Sequence, residues 1–313
     1  MKKDIKIRRL KTLDGSFLMS PKNDFVFKTI FGDEKNKDIL ISFISAIMKI
    51  ETDKFEDLKF MNTELPREFI EDRMGILDVR VKLKDKTEID IEIQLNYTKY
   101  MGERTLYYWS KMYTGSIKKG DTYSKLKRCV TINIVDFIIL PLEQIYSKFQ
   151  ITEEKTGYRL TDVLEIYYLE LEKLRNDKYK QYINRKDPII QWMMFLNAET
   201  KEVLDMLSED VPEIEKATTI LEVMSQSEKQ RMVYEAREAY LHDMATYLEE
   251  AEERGLEKGM KKGVEKGIEK GIVEGKRKVA KKLLLKEMSA EQVSDMTDLK
   301  MEEVLKLQKE IKK

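Results

Sequence analysis

The sequence has few of the side chains on which disulfide and zinc chemistry depend. Its 313 residues include one cysteine, Cys129, and one histidine, His242. These numbers exclude an internal disulfide, a zinc site built from cysteine and histidine, and any mechanism that needs a second histidine. Catalysis by this chain would have to use carboxylates, Lys, Ser, Tyr or a bound metal.

A net charge of one sign and long apolar runs are also missing. Lys and Arg number 58 and so do Asp and Glu. The basic excess that usually accompanies nucleic-acid binding is therefore absent, and any DNA contact should be local or assisted by a metal. No apolar run approaches the roughly 18 residues of a membrane span, and the basic N-terminus lacks the apolar core of a secretory signal. We expect a soluble cytoplasmic protein with no membrane partner.

Charged and apolar residues are both plentiful. The charged share is 37% and the hydrophobic share 42%. An average globular protein has roughly 25% charged residues, so the excess charge should lie on long solvated helices. The apolar share is large enough for a real core, which argues against wholesale disorder.

The apolar residues follow a mixture of helical and strand periods. Residues 21–50 have helical spacing interrupted near Gly32 and Asp33, which predicts two helices. Residues 76–83 and 88–95 alternate apolar and polar side chains around a short KDKT turn, which predicts a hairpin with one core face.

The rest of the chain continues the mixture. Residues 101–119 have helical spacing, a buried strand is predicted from Cys129, and a second apolar strand ends at Leu171. From Trp192 the pattern is helical onward to the C-terminus. The sequence therefore predicts an α/β protein.

The polar face of the hairpin carries a concentration of charge. It consists of Asp78, Arg80 and Lys82 on one strand, and Glu88, Asp90, Glu92 and Gln94 on the other. One permitted register places Asp78 opposite Glu92, Arg80 opposite Asp90 and Lys82 opposite Glu88; the adjacent one pairs Asp78 with Gln94.

The first register opposes two carboxylates with Cβ atoms about 5 Å apart, which is unfavourable unless one is protonated or a cation lies between them. Mg²⁺ suits such a pair because it binds one or two carboxylates and keeps positions for water and a phosphate oxygen. Phosphodiester hydrolysis is the chemistry this arrangement favours. The alternative is a solvated hairpin face whose charges merely pair.

Several segments together resemble a known family. NDFVFKTIFG, LDVRV, IEIQ, GERTLYYWSKMY, KKGDTYSKL and VLEIYYLELEKL occur in this order across about residues 20 to 200. They resemble the recombination-promoting nucleases, often labelled transposases, of the PD-(D/E)XK nuclease superfamily. The resemblance implies a restriction-endonuclease-like mixed sheet flanked by helices. It also implies catalytic roles for Asp78, Glu92 and Gln94, with Asp78 and Glu92 as the metal carboxylates.

Gln94 falls where many members of the superfamily place a catalytic lysine, although the recombination-promoting nucleases themselves show this glutamine. A glutamine orients water by hydrogen bonds but supplies no positive charge. Arg80, Lys82 or Lys28 are candidates to supply that charge, and Asp24 is a further acidic candidate.

Arg104 and Lys111 follow on one helical stripe where a DNA backbone would pass. The alternative role for Arg104 is the donor of an intramolecular salt bridge.

A glycine repeat dominates the region after Glu249. Glycine recurs at every fourth residue among Glu and Lys, at Gly255, Gly259, Gly263, Gly267, Gly271 and Gly275. Each glycine costs about 1 kcal/mol of helix propensity relative to alanine. From one glycine to the next, the line of glycines rotates by about 40° around a straight helix. A self-association helix and a flexible charged spacer are both compatible with this ladder.

The last residues predict three short amphipathic helices that resemble a small helix-turn-helix. The third begins with Met301, Glu302 and Glu303. An acidic start favours protein contact or homo-oligomer formation over reading of DNA bases.

We therefore divide the chain into a leader at 1–20, a nuclease-like domain at 21–215, a long charged helical segment at 216–280 and a small helical tail at 281–313. The hypothesis is a Mg²⁺-dependent DNA endonuclease that promotes recombination or serves a mobile element. The alternative is a catalytically weak relative that acts as a DNA- or protein-binding assembly module. Strand transfer by a transposase in the strict sense is a third hypothesis, for which the sequence offers no end-binding domain.

Overall fold

The computed structural model describes residues 9–64 and 78–311. The chain forms two compact units, Met1–Ala239 and Tyr240–Lys313. Each unit is considered by itself. The domain boundaries expected at residues 20, 215 and 280 stay predictions.

The first unit is built on a six-stranded mixed sheet. Its strands are β1 (Lys59–Phe60), β2 (Val79–Lys82), β3 (Glu88–Gln94), β4 (Cys129–Val135), β5 (Tyr146–Phe149) and β6 (Leu164–Glu170). They lie in the order β1-β2-β3-β4-β6-β5, with β3, β4 and β6 mutually parallel and the other pairs antiparallel. The predicted α/β class and mixed sheet are confirmed.

The described residues of the two units also form α-helices. They are α1 (Asp24–Phe31), α2 (Lys37–Met48), α3 (Met101–Gly115), α4 (Leu171–Arg175), α5 (Pro188–Leu196), α6 (Lys201–Asp210), α7 (Pro212–Gln226), α8 (Glu228–Leu285), α9 (Ala290–Thr297) and α10 (Met301–Ile311). The two N-terminal helices and the long charged helix were predicted. No helix within residues 9–64 and 78–311 combines the length and apolarity needed to cross a bilayer.

One face of the sheet packs on the main core. Alternate residues of the hairpin, such as Val79, Val81 and Ile91, are buried there with α1, α2 and α5. Aromatic rings fill the layer between helices, with Phe31 lying 5.0 Å from Phe43 and 5.6 Å from Trp192 between ring centroids. This is the apolar face that the period of two in the sequence predicts.

The other face of the sheet is covered by α3. Parallel strands cannot be joined by a tight turn, so the chain crosses from β3 to β4 through this helix. Thr105 of α3 donates a hydrogen bond to Asn133 Oδ1 of β4 at 3.0 Å. The polar hairpin face is therefore buried, and the alternative of a solvated face is wrong. Glu88, Asp90 and Glu92 are exposed by 5%, 0% and 4% respectively.

Element boundaries differ from the predictions in a few places. Helix α3 ends at Gly115, before the predicted end near residue 119, and α5 begins at Pro188, where the Asp187 side chain caps it. The short strands β1 and β5 were not predicted. They are the two edge strands of the sheet, and both are too short for an alternation of apolar and polar residues to be visible. Residues 76 and 77 of the predicted hairpin lie outside the described residues.

Residues 9–20, which we expect to form part of a leader, pack into the core of the first unit. Leu10, Leu18 and Met19 are buried in its main core. The Met19 and Ser20 N–H groups donate to Ser225 Oγ at 3.0 Å and to Tyr234 OH at 3.2 Å.

The second unit contains a small helical cluster. The first of the three expected tail helices is the C-terminal end of α8, while α9 and α10 form as predicted. The Ser289 and Gln292 capping box is present at the start of α9. The cluster is held together by Ala280, Leu284, Val293, Leu299, Val304 and Leu307.

Candidate active site

The hairpin register brings two carboxylates together at the carboxyl end of β3. Arg80 lies opposite Asp90 and Lys82 opposite Glu88, so the register is the first of the two that the sequence permits. Its continuation places Asp78, one residue before β2, opposite Glu92. The Asp78 N–H donates to Glu92 Oε1 at 3.2 Å, and Asp78 Oδ2 accepts from the Ile93 N–H at 2.9 Å.

Two cations reach this pair from opposite faces of the sheet. Lys28 of α1 places its Nζ atom 2.9 Å from Asp78 Oδ1. Arg104 of α3 donates to Glu92 Oε2 at 3.0 Å and to Gln94 Oε1 at 2.9 Å. The Gln94 amide nitrogen in turn donates to the Asn96 carbonyl at 3.1 Å. The site is therefore a sheet edge closed on one side by α1 and on the other by α3.

Burial and neighbouring negative charge make ionisation of Glu92 and Asp90 unfavourable. Burial, followed by the neighbouring Asp78 charge, raises the pKa of Glu92 to about 7, although Arg104 opposes the shift. Asp90 lies one pleat earlier on β3, and burial with the charges of Glu92 and Asp78 raises its pKa well above the ordinary range. Both Asp90 carboxylate oxygens are buried without a hydrogen-bond partner among the described residues.

The amino end of β3 is arranged differently. Arg80 and Lys82 both contact Glu88, at 2.6 Å and 3.0 Å. Arg80 lies opposite Asp90 as the register predicts, but its guanidinium reaches diagonally to Glu88 and forms its ion pair there. Since both cations are engaged there, they are poor candidates for the charge that a catalytic lysine would supply.

The remaining predicted residues lie apart from the carboxylate pair or on its border. Asp24 accepts from Arg237 through both carboxylate oxygens, at 2.9 Å and 2.6 Å, so its charge is balanced within the first unit. Lys111 lies 5.9 Å from the Tyr107 ring centroid, further along α3. Arg104, predicted to touch DNA or to form an internal salt bridge, forms that salt bridge with Glu92.

The sequence therefore predicted Arg104 as a functional residue but did not predict its contacts with Glu92 and Gln94. It lies on the first turn of the helix that directly follows β3. A helix that connects two parallel strands packs back across the sheet, so its first turn lies near the end of the preceding strand. This rule could have placed Arg104 beside Glu92.

The donor atoms fit a hard divalent cation. Asp78 and Glu92 bring their carboxylate groups next to each other, and each oxygen retains a lone pair beyond its present polar contact. Mg²⁺ is commonly held by one or two protein carboxylates with waters and phosphate oxygens completing the shell. Within the described ranges no group of three or more Asp, Glu, His or Cys side chains is arranged to hold a metal. Among the described residues, the pair would therefore act without a third carboxylate.

The comparison with known families agrees with the fold. The family described as PD-(D/E)XK nuclease family transposase matches residues 21–251, well over half of the chain. The protein belongs to this family. PD-(D/E)XK nucleases generally use divalent metals, and the family implies DNA as the substrate. No curated protein and no solved structure matches the chain.

Proposed function

We propose that the protein is a divalent-metal-dependent DNA endonuclease that hydrolyses phosphodiester bonds at the carboxyl end of β3. The observation that supports this most strongly is the adjacent pair of Asp78 and Glu92, where the pKa of Glu92 is raised to about 7. Two adjacent ionised carboxylates repel each other. A bound cation would remove the repulsion.

Asp78 and Glu92 would hold the metal, with Mg²⁺ the ion we favour. When bound, such an ion polarises a phosphate oxygen and lowers the pKa of water. Gln94 is oriented by Arg104 and Asn96, and one of its two amide N–H donors is engaged by the Asn96 carbonyl. Its other N–H would orient the attacking water.

Arg104 and Lys28 supply the positive charge that Gln94 lacks. In the structure they contact Glu92 and Asp78 respectively. With a cation held by the two carboxylates, both side chains would be free to contact phosphate oxygens. Arg104 offers a fork of donors suited to phosphate, and we assign it the main stabilisation of charge on the reacting phosphoryl group.

Cleavage of supercoiled plasmid tests this proposal. Purified full-length protein would be incubated with Mg²⁺, Mn²⁺ or EDTA, beside the variants Asp78→Ala and Glu92→Ala. We expect nicking that requires metal and is lost in both variants. No nicking with either metal would move the weight to a binding or assembly function.

A role in recombination or in a mobile element is the biological context we propose, supported by the transposase label of the family. The cytoplasmic location stays a prediction. An assay that scores recombination between repeats in cells, comparing wild type with Asp78→Ala, would test the role. Equal recombination in both would contradict it.

The glycine ladder supports a second proposal, homo-oligomer formation by α8. A Cβ placed on any of the ladder glycines would meet nothing within 4 Å. An exposed apolar track runs beside the glycines, formed by Leu256, Met260, Val264, Ile268 and Ile272. Around the helix the order is then Lys, Gly, apolar and Glu, because successive residues are about 100° apart.

This order selects a parallel partner. When two copies face each other through the glycine and apolar tracks, a parallel pair brings the Lys track of one copy to the Glu track of the other. An antiparallel pair opposes like charges. Small residues at every fourth position let two helix backbones approach closely at a right-handed crossing.

Charge reversal tests the pairing by light scattering. One variant changes Glu257, Glu265 and Glu269 to Lys, and the other changes Lys258, Lys262 and Lys266 to Glu. Each alone should dissociate to monomers, and their mixture should restore the oligomer. An oligomer that survives in both single variants would contradict the proposed interface, and a monomeric wild type would favour the charged spacer.

A further inference from the structure

Two exposed tyrosines lie on the segment that joins β3 to α3. Tyr97 is 63% exposed and Tyr100 is 62% exposed. The Tyr97 ring lies edge-on to Phe137, with ring centroids 5.4 Å apart, and Phe137 is itself buried. The buried Phe137 thus supports one side of the Tyr97 ring, and much of the ring remains accessible to solvent.

Both tyrosines are tied to the carboxylate site by hydrogen bonds of their neighbours. Gln94 donates to the carbonyl of Asn96, the residue before Tyr97. The Tyr100 carbonyl accepts from the Arg104 N–H at 3.0 Å, and the Arg104 side chain contacts Glu92 and Gln94. The aromatic surface therefore borders the same sheet edge as Asp78 and Glu92.

Cations alternate with the rings along this border. The Lys99 ammonium lies 5.7 Å from the Tyr100 ring centroid, and Arg104 lies 5.4 Å from that of Tyr108. In a protein with zero net charge, these two cations lie beside the proposed catalytic carboxylates. A polyanion with flat apolar surfaces matches both properties.

We propose that this border binds DNA whose bases are unpaired next to the cut site, with Tyr97 and Tyr100 stacking on those bases. The proposal rests on the nuclease function proposed above and specifies its substrate as single strands, forks or gaps. Duplex DNA presents mainly phosphates to a flat surface and hides its base faces, so it would leave both rings without a partner. Single-stranded DNA exposes base faces, and aromatic stacking together with cations is the usual way proteins bind it.

Binding without metal tests the proposal separately from catalysis. Full-length protein in EDTA would be titrated with a fluorescent single-stranded oligonucleotide, a splayed fork and the matching duplex, with anisotropy as the readout. We expect the single strand and the fork to bind more tightly than the duplex. Tyr97→Ala and Tyr100→Ala should each weaken single-strand binding about 10-fold while duplex binding changes little.

Matched controls separate stacking from general surface effects. Tyr97→Phe and Tyr100→Phe keep the rings and should bind like wild type. Tyr158→Ala removes another tyrosine, which is 72% exposed on the β5–β6 connection, and should also bind like wild type. Thermal unfolding monitored by circular dichroism would verify that every variant is folded.

Two outcomes would overturn the inference. Equal affinity for single strand and duplex is one, and unchanged single-strand affinity in both alanine variants is the other. Ring-dependent single-strand binding by a protein that never cuts DNA would instead support this surface and contradict the nuclease function alone.

Discussion

Strand β3 has a buried glutamate near each end, and the two ends differ in how their charges balance. At the amino end one carboxylate, Glu88, meets two cations, Arg80 and Lys82. At the carboxyl end Glu92 lies opposite Asp78, and the buried Asp90 lies two residues earlier on the same strand. Two cations, Lys28 and Arg104, serve that end from separate helices.

The difference separates a structural ion pair from a candidate active site. An ion pair that supports a fold needs its charges compensated inside the protein, as at Glu88. A site that binds an external cation needs an excess of negative charge, as at Glu92. The same strand thus carries both arrangements on one face, which makes Glu88 a matched control for Glu92 in every experiment below.

The largest expected difference between the two ends is in DNA cleavage. Asp78→Asn and Glu92→Gln should each lower metal-dependent cutting by about 100-fold or more, because each removes a metal carboxylate. Glu88→Gln should retain cutting within a few-fold of wild type once folding is confirmed. Initial rates on supercoiled plasmid measure this. Equal losses in all three variants would show that the two ends do not differ in function.

Stability should change in opposite directions at the two ends. Glu88→Gln leaves Arg80 buried without a full counter-charge and should cost about 3 kcal/mol of unfolding free energy. Glu92→Gln keeps an acceptor for the Asp78 N–H and removes the repulsion. It should therefore raise stability at pH 8 by about 1 to 3 kcal/mol. Urea denaturation measures both changes, and destabilisation of similar size in both variants would contradict the charge comparison.

The cations should not be interchangeable. Arg104→Gln should lower cutting by about 10- to 100-fold, because the fork of donors that we assign to the reacting phosphoryl group is lost. Arg104→Lys should recover only part of the rate, since a single ammonium cannot offer the same fork of donors to phosphate. Lys82→Gln at the other end is the control and should leave the rate within a few-fold of wild type. An undiminished rate in Arg104→Gln would remove Arg104 from the mechanism.

The smallest expected effect is a pH dependence of metal binding. The pKa of Glu92 is raised to about 7, so below that pH the folded protein must release a proton to bind an ion there. Mg²⁺ affinity should therefore increase by up to about tenfold per pH unit below pH 7 and level off above it.

The same shift has a definite sign for stability in the absence of metal. A carboxyl whose folded pKa lies above its unfolded value favours the folded state when protonated. Its contribution to stability should fall as the pH rises from about 4.5 to about 7, because the unfolded chain ionises first. Glu92→Gln should reduce this slope and leave the part that comes from Asp90. Calorimetric titration and urea denaturation at several pH values measure the two effects, and an affinity independent of pH would contradict the raised pKa.

The period of two was sufficient to predict the hairpin, its core face and the two registers that keep apolar residues opposite each other. It could not predict that the polar face is buried, because this depends on α3 returning across β3. Arg104 entered the site for the same non-local reason. The diagonal contact of Arg80 with Glu88 also escaped prediction, since a long guanidinium side chain reaches beyond the residue directly opposite.

The central claim is that the carboxyl end of β3 holds a divalent cation while the amino end does not. Binding of Mn²⁺ to full-length protein, followed by electron paramagnetic resonance of the free ion, tests it most directly in wild type, Asp78→Asn, Glu92→Gln and Glu88→Gln. The account predicts that binding is lost or greatly weakened in Asp78→Asn and Glu92→Gln and is retained in Glu88→Gln. Mn²⁺ binding that is unchanged in both Asp78→Asn and Glu92→Gln would contradict it.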